Sequence, residues 1–233
     1  KGKGPTKGTV TIKKGEVTTT NLCFKTYSVD YDGTKATISK NNYCKEDKVI
    51  LKEKENINEI AIENKKAVID LTNYTDYTNI HCNNNAKLEI ENNQLIVTNI
   101  IGEVTCQLDK TLEDTFSNLD DSSNSIMMLS DDTIKNTISV NSSLILNLEN
   151  YTINSHISDD INGNSLFSIN KNGTIVVNSK AKGKIISNDC HIFRMSRSTS
   201  NLIINNGTYE NKKNAACNII FIPANDSTTI INN

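Results

Sequence analysis

"LILNLENYTI", residues 144–153, opens with large apolar residues closed by Asn, and the same pattern returns as "IVVN" at 175–178, "LIIN" at 202–205 and "TIIN" at 229–232. The closing residues Asn147, Asn178, Asn205 and Asn232 are 31, 27 and 27 residues apart. Fixed periods of this length mark solenoids. A second set, "LFSI" at 166–169, "IFRM" at 192–195 and "IIFI" at 219–222, keeps nearly the same interval. Each period therefore holds at least two short strands rich in β-branched residues, separated by Asn, Gly, Ser and Asp turns. Proline occurs twice and no long stretch has helical periodicity, which disfavours helical and leucine-rich repeats.

A parallel β-helix is left. Each coil stacks about 4.8 Å from the last, so like residues fall on like. Asn at a strand end tolerates a left-handed turn, and its amide can bond the Asn of the next coil. An antiparallel sandwich is the competing reading, but it has no reason to repeat Asn in register. The stretch resembles the right-handed parallel β-helix, or pectate-lyase-like, superfamily; "LILNLENYTI" is similar to the "LDLNGYTI" pattern of its surface-protein members. The resemblance covers roughly 120–233 and implies a fold, not an activity.

The front of the chain loses this register. "HCNNNAKLEIENNQLIVTNIIGEVTCQL" at 81–108 reads as three strands with Asn-rich turns. It resembles small β-sandwich modules of Gram-positive-type surface proteins, through Cys82, Asn83, Leu95, Val97, Asn99, Thr105 and Cys106. That resemblance implies a Cys82–Cys106 bridge, and "NLCFKTYSVDYDGTKATISKNNYC" at 21–44 suggests a similar Cys23–Cys44 loop around an Asp-Gly turn. The near-copy "AVIDLTNYTD" at 67–76 is either an early coil or a sandwich strand, and the lack of an in-register apolar triplet closed by Asn near 97 and 124 favours the strand. The expected organisation is a basic arm and strand at 1–17, a β-sandwich-like region at 18–111, a polar connection or cap at 112–125, and a parallel β-helix at 126–233.

Six cysteines without a C-x-x-C spacing read as disulfides rather than a zinc site or redox pair, and no metal or cofactor is expected. Cys190 and Cys217 are 27 residues apart, one coil by the Asn count, and stacked coils would hold them within disulfide reach. Two buried thiols are the alternative. Disulfides and the "KGKGPTKG" start, which looks like a mature end, point to export and a cell-surface location. No apolar run is long enough to span a bilayer. With 25 Lys and Arg spread among 27 Asp and Glu, no basic stripe invites nucleic acid.

Carbohydrate-active enzymes of this fold need acids, often with a base or calcium, along one face. The acidic pairs Asp120–Asp121, Asp131–Asp132 and Asp159–Asp160 lie in turns and read as solvated loops. Asp189, His191 and Arg194 are the sole concentration of acid, imidazole and guanidinium in the helical part. On a strand, 189 and 191 project to one side and 194 to the other, so convergence is not expected. His81 and His156 stand alone. Six N-x-[ST] sequons follow from an Asn-rich composition.

The reading is therefore an exported, non-catalytic surface protein with a structural or adhesive role, touching carbohydrate or a neighbouring cell surface. Two rivals stand beside it. One is a filament subunit whose strand "GTVTIKKGEV" at 8–17 adds to a neighbour's sheet, with self-association through open β-edges after "TTIINN". The other is a polysaccharide lyase or glycoside hydrolase.

Overall fold

The structure, a computed structural model, describes residues 8–12, 15–19, 29–32, 35–38, 49–52, 58–63, 66–72, 74–98, 102–119, 122–157, 164–188, 190–212, 217–223 and 225–232. Among them the chain is all-β apart from one short helix. It divides into two compact units, Lys1–Asp76 with Cys82–Leu108, and Tyr77–His81 with Asp109–Asn233. The expected Cys23–Cys44 bridge lies outside the described residues, as do Asp189 and the pairs at 120–121 and 159–160.

The first unit carries β1 (Gly8–Ile12), β2 (Gly15–Thr19), β3 (Val29–Asp32), β4 (Lys35–Ile38), β5 (Val49–Lys52), β6 (Glu59–Ile62), β7 (Lys66–Asp70), the end of β8 (Asn79–Asn83) from Cys82 on, β9 (Lys87–Glu91), β10 (Gln94–Thr98) and β11 (Val104–Asp109) as far as Leu108. Six of them form a sheet in the order β1-β2-β5-β7-β10-β9. The segment 8–17, expected as one strand, is folded back as two: β1 pairs antiparallel with β2, Ile12 opposite Gly15. The span 81–108 likewise holds four strands rather than three. The extra division comes from Asn-Asn turns. Asn92 and Asn93 both have positive φ, 49° and 60°, and join β9 to β10 where Glu91 faces Gln94. Two left-handed residues give the hairpin a twist that matches its strands, and Asn tolerates that backbone.

The near-copy at 67–76 proves to be β7, antiparallel to β10 and parallel to β5, not a coil. Ala67, Val68 and Ile69 are all buried, as are Leu95, Ile96 and Val97 opposite them, so both faces of these strands are covered. A disulfide joins Cys82 to Cys106, with Cα atoms 4.1 Å apart.

The second unit begins its long run with α1 (Leu112–Asn118), in the stretch expected as a connection or cap. Thr111 caps it, its hydroxyl accepting from the Asp114 N–H, and Glu113 and Asp114 sit where the helix dipole favours carboxylates. Coils then follow three strands at a time: β12 (Asn124–Met128), β13 (Asp132–Ile134) and β14 (Ile138–Val140); β15 (Ser143–Asn147), β16 (Thr152–Ser155) and β17 (Ser165–Ile169); β18 (Thr174–Asn178), β19 (Lys184–Ser187) and β20 (His191–Met195); β21 (Asn201–Asn205), β22 (Thr208–Asn211) and β23 (Ile220–Phe221); and β24 (Thr228–Asn232). Every strand pairs parallel with its counterpart one coil on, giving three parallel sheets. This is a parallel β-helix with coils of about 27 residues.

The alternation predicted from sequence fixes the interior. In β15, β18 and β21 the second and fourth residues are buried and the others half-exposed. Leu144, Ile175 and Leu202 stack in register, as do Ile126, Leu146, Val177 and Ile204. Along another sheet Phe167 lies over Phe193, ring centroids 5.5 Å apart and nearly parallel, with the edge of Phe116 from α1 at 6.2 Å. Such aromatic stacking adds about 1 kcal/mol beyond area burial. Between β17 and β18 the coil comes so close to its neighbour that a side chain at Gly173 would collide with the Val140 carbonyl oxygen.

Candidate functional site

The outward face of the β15-β18-β21-β24 sheet is built by the repeat. Parallel register places Ser143, Thr174, Asn201 and Thr228 in one column, Ile145, Val176, Ile203 and Ile230 in the next, and Asn147, Asn178, Asn205 and Asn232 in the third. The Asn column is a continuous ladder. Asn178 Nδ2 donates to Asn147 Oδ1 at 2.9 Å, Asn205 to Asn178 at 2.9 Å, and Asn232 to Asn205 at 2.6 Å. Asn147 in turn donates to the Ile126 carbonyl, 3.1 Å away, since the preceding coil offers Met127 at the ladder position.

One part of the expected reason for Asn is corrected. None of the four ladder residues has a left-handed backbone; positive φ falls on Glu149, Asn172, Thr199, Asn206 and Asp226 in neighbouring turns. The amide ladder alone therefore accounts for Asn at these strand ends. The resulting grid is half-exposed along β15, β18 and β21, exposed along β24, and without a charged side chain, in a chain of which 22% is charged. A face with apolar ribs between rows of amides and hydroxyls suits contact with a neutral, regular surface. It offers no proton donor or acceptor with an acid–base role.

The concentration expected at 189–194 is arranged differently from the expectation. His191 stacks on the Phe221 ring, centroids 4.7 Å apart and 7° from parallel, while the Arg194 guanidinium carbon lies 5.9 Å from the same ring's centroid. His191 and Arg194 thus meet at one aromatic, although strict alternation would send them to opposite sides. The coil-to-coil register makes Phe221 the neighbour of Arg194, and the ring is broad enough to reach His191 as well. Nδ1 of His191 accepts the Asn218 N–H at 2.7 Å. Burial lowers the His191 pKa below 6.5, and the Arg194 guanidinium adds to the lowering. The imidazole is therefore neutral near pH 7. His191 and Arg194 thus share one aromatic contact, while Asp189 of the same group lies outside the described residues.

Cys190 and Cys217 are thiols rather than the expected third disulfide. Cys190 is turned into the coil interior, its Sγ 3.5 Å from Ser187 Oγ, whereas Cys217 is half-exposed; stacking by register is not enough to aim both sulfurs at each other.

His81 does not stand alone. Its Nδ1 is 2.7 Å from Asp109 Oδ2, and both groups are buried. Thr115 Oγ1 of α1 lies 2.7 Å from Asn79 Oδ1 and 3.0 Å from Asp109 Oδ2, its one proton serving one of these two acceptors. Asp132 accepts the Leu112 N–H at 2.6 Å and the Thr78 hydroxyl at 3.2 Å. The network pins α1 to the first coil. Asp131 and Asp132 are likewise not merely solvated: Asp131 accepts the Thr152 N–H and Asp132 the Thr133 N–H, each at 2.7 Å. Among the described residues no cluster of three His, Cys, Asp or Glu has metal-binding geometry, and no helix is long and apolar enough to cross a membrane. No protein-family model matches the chain, and neither a curated protein nor a solved structure matches it.

Proposed function

We propose that this chain is an exported surface protein in which the β-helix serves as a non-catalytic scaffold for adhesion, presenting the grid around the Asn ladder. The observation that carries the reading is that grid: Ile145, Val176, Ile203 and Ile230 between two neutral polar columns, repeating once per coil. A rigid face with a regular repeat makes many weak, identical contacts, which is how a surface with its own repeat is held. The Cys82–Cys106 disulfide supports export, because such bridges persist in oxidising compartments.

The test places a charge on the grid. Val176→Lys with Ile203→Lys should weaken binding of the chain to carbohydrate-coated or cell surfaces at least tenfold. Ile186→Lys, on the outer side of β19, should leave it unchanged. Equal binding by all three proteins would remove the grid from the function. Release of reducing ends or unsaturated products from a polysaccharide panel would replace adhesion by catalysis.

Self-association is a second reading. Among the described residues the exposed large apolar ones are Ile219, Ile222, Ile230 and Ile231, on the last two described strands or beside them. By contrast β1, the proposed donor strand, is already paired with β2 and lies at the edge of its sheet. Sedimentation velocity of the native chain with and without Ile231→Lys separates this reading from adhesion by single molecules.

A further inference from the structure

Asn-Gly occurs twice inside the same tripeptide, as Asn172-Gly173-Thr174 and Asn206-Gly207-Thr208, and a third time as Asn162-Gly163, outside the described residues. The pair has its own chemistry. Glycine has no Cβ to shield its main-chain nitrogen, so that nitrogen can reach the side-chain carbonyl carbon of the asparagine before it. Because the two tripeptides are identical, any difference in reactivity between them comes from the fold.

Both asparagines are exposed and both have a left-handed backbone, with φ of 63°. Their surroundings differ. Between β17 and β18 the Gly173 N–H donates to the Asn170 carbonyl at 2.9 Å, and Asn172 Oδ1 accepts the Thr199 hydroxyl at 2.7 Å. Gly173 is buried, its carbonyl accepts the Asn201 N–H at 2.9 Å, and the Val140 carbonyl closes in from the preceding coil. Nucleophile and electrophile are both held. Between β21 and β22, by contrast, neither the Gly207 N–H nor the Asn206 side chain makes a hydrogen bond among the described residues, and both residues are exposed. The peptide joining them is restrained through its carbonyl, which accepts the Tyr209 hydroxyl at 3.0 Å.

We infer that Asn206 is a site of spontaneous deamidation and that the fold protects Asn172 from the same reaction. The Gly207 nitrogen gives up its proton to solvent and attacks Cγ of Asn206. The N–Cγ bond forms, the Cγ–Nδ2 bond breaks, and Nδ2 leaves as ammonia after taking a proton from water. A water molecule then opens the resulting succinimide at either carbonyl and leaves aspartate or isoaspartate. The net reaction consumes water and releases ammonia, with no change of oxidation state. Isoaspartate lengthens the main chain by a methylene between the Asn206 N–H, which donates to the Asn232 carbonyl at 3.2 Å, and the Thr208 N–H, which donates to the Gly183 carbonyl at 3.0 Å. Both products put a carboxylate one residue beyond the Asn ladder. The turn thus gains charge with time, and in part length. Adhesion plays no part in this chemistry.

Both tripeptides are also N-x-[ST] sequons, so the test uses full chain from a host that does not glycosylate. The chain is held at pH 8 and 37 °C, and peptide mapping by mass spectrometry follows the amide-to-acid exchange at each asparagine. Native protein is expected to convert Asn206 at least tenfold faster than Asn172. In concentrated guanidinium chloride the two rates should converge, because only the fold distinguishes them. Equal rates in the native chain overturn the proposal. A gap of the same size in denaturant overturns it too, since the fold would then not be its cause. Hydrogen exchange of the aged protein reads the consequence: amides of β22 and β24 should exchange faster than in fresh chain, and ageing should leave them unchanged in Asn206→Gln, whose longer side chain disfavours ring closure. Equal loosening of the parent and Asn206→Gln would remove Asn206 as its source.

Discussion

Replacing Asn178 by Ala tests whether the ladder holds the coils together. Asn178 donates to Asn147 and accepts from Asn205, both at 2.9 Å, so the substitution removes two hydrogen bonds from one position. A bond of this kind is worth about 1 kcal/mol net, and the side chain is half-buried, so water recovers part of the loss. The expected cost is about 1–2 kcal/mol. Asn232→Ala is the internal control. It removes one ladder bond at an exposed site and should cost less than about 0.5 kcal/mol. Hydrogen exchange read peptide by peptide is the suitable assay, because the chain has two units and a single unfolding midpoint would blend them. Since about 1.4 kcal/mol is a tenfold change, amides of β15, β18 and β21 should exchange about tenfold faster in Asn178→Ala. If their rates match those of Asn232→Ala, the ladder is a by-product of stacking and contributes nothing of its own.

His191 and the Cys82–Cys106 bridge give two further expected outcomes. His191 has a folded pKa below 6.5, so its contribution to stability is complete above that pH and is lost as pH falls from about 6.5 through the lower folded value. Urea midpoints of the β-helix peptides, read by pulsed hydrogen exchange at pH 7.5 and pH 5, should therefore differ more in the parent chain than in His191→Phe; equal differences would assign the effect to other groups. Replacing Cys82 and Cys106 by Ala opens a loop of sequence separation 24, and loop-closure entropy puts the loss at about 3 kcal/mol. Proteolysis under native conditions should then cut the first unit sooner while leaving β-helix peptides protected; uniform acceleration would refute the two-unit division.

The β-helix was legible because a solenoid turns sequence period into spatial stacking. Asn147, Asn178, Asn205 and Asn232 could be aligned by eye since each occupies the same point of its coil. The first coil escaped that reading for a physical reason. Its register places Met127 under Asn147, an offset of 20 residues, so neither the period nor the Asn is present. The His81–Asp109 pair was invisible because the two residues are 28 apart and meet through tertiary folding, with no local pattern to betray them. His191 and Arg194 failed in the opposite way. Local alternation was applied correctly along their own strand, but Phe221 of the next coil spans the distance between them. The thiols show a similar limit: Cα register can be read from a repeat, whereas the aim of a side chain cannot.

The asparagine column also has a direction. Every amide hands its proton the same way, from Asn232 to Asn205 to Asn178 to Asn147, and finally to a main-chain carbonyl. Parallel carboxamide dipoles add, so the column is an electrically polar rod with its two ends chemically unlike. A carboxylate tolerates only the role of receiver. Aspartate at 147 or at 178 would still receive from the next coil but would face an oxygen with no proton to offer, the Ile126 carbonyl in one case and the Asn147 amide in the other. The exchange is thus tolerated on the receiving side of each rung and repulsive on the giving side, an asymmetry that a column of valines would not have.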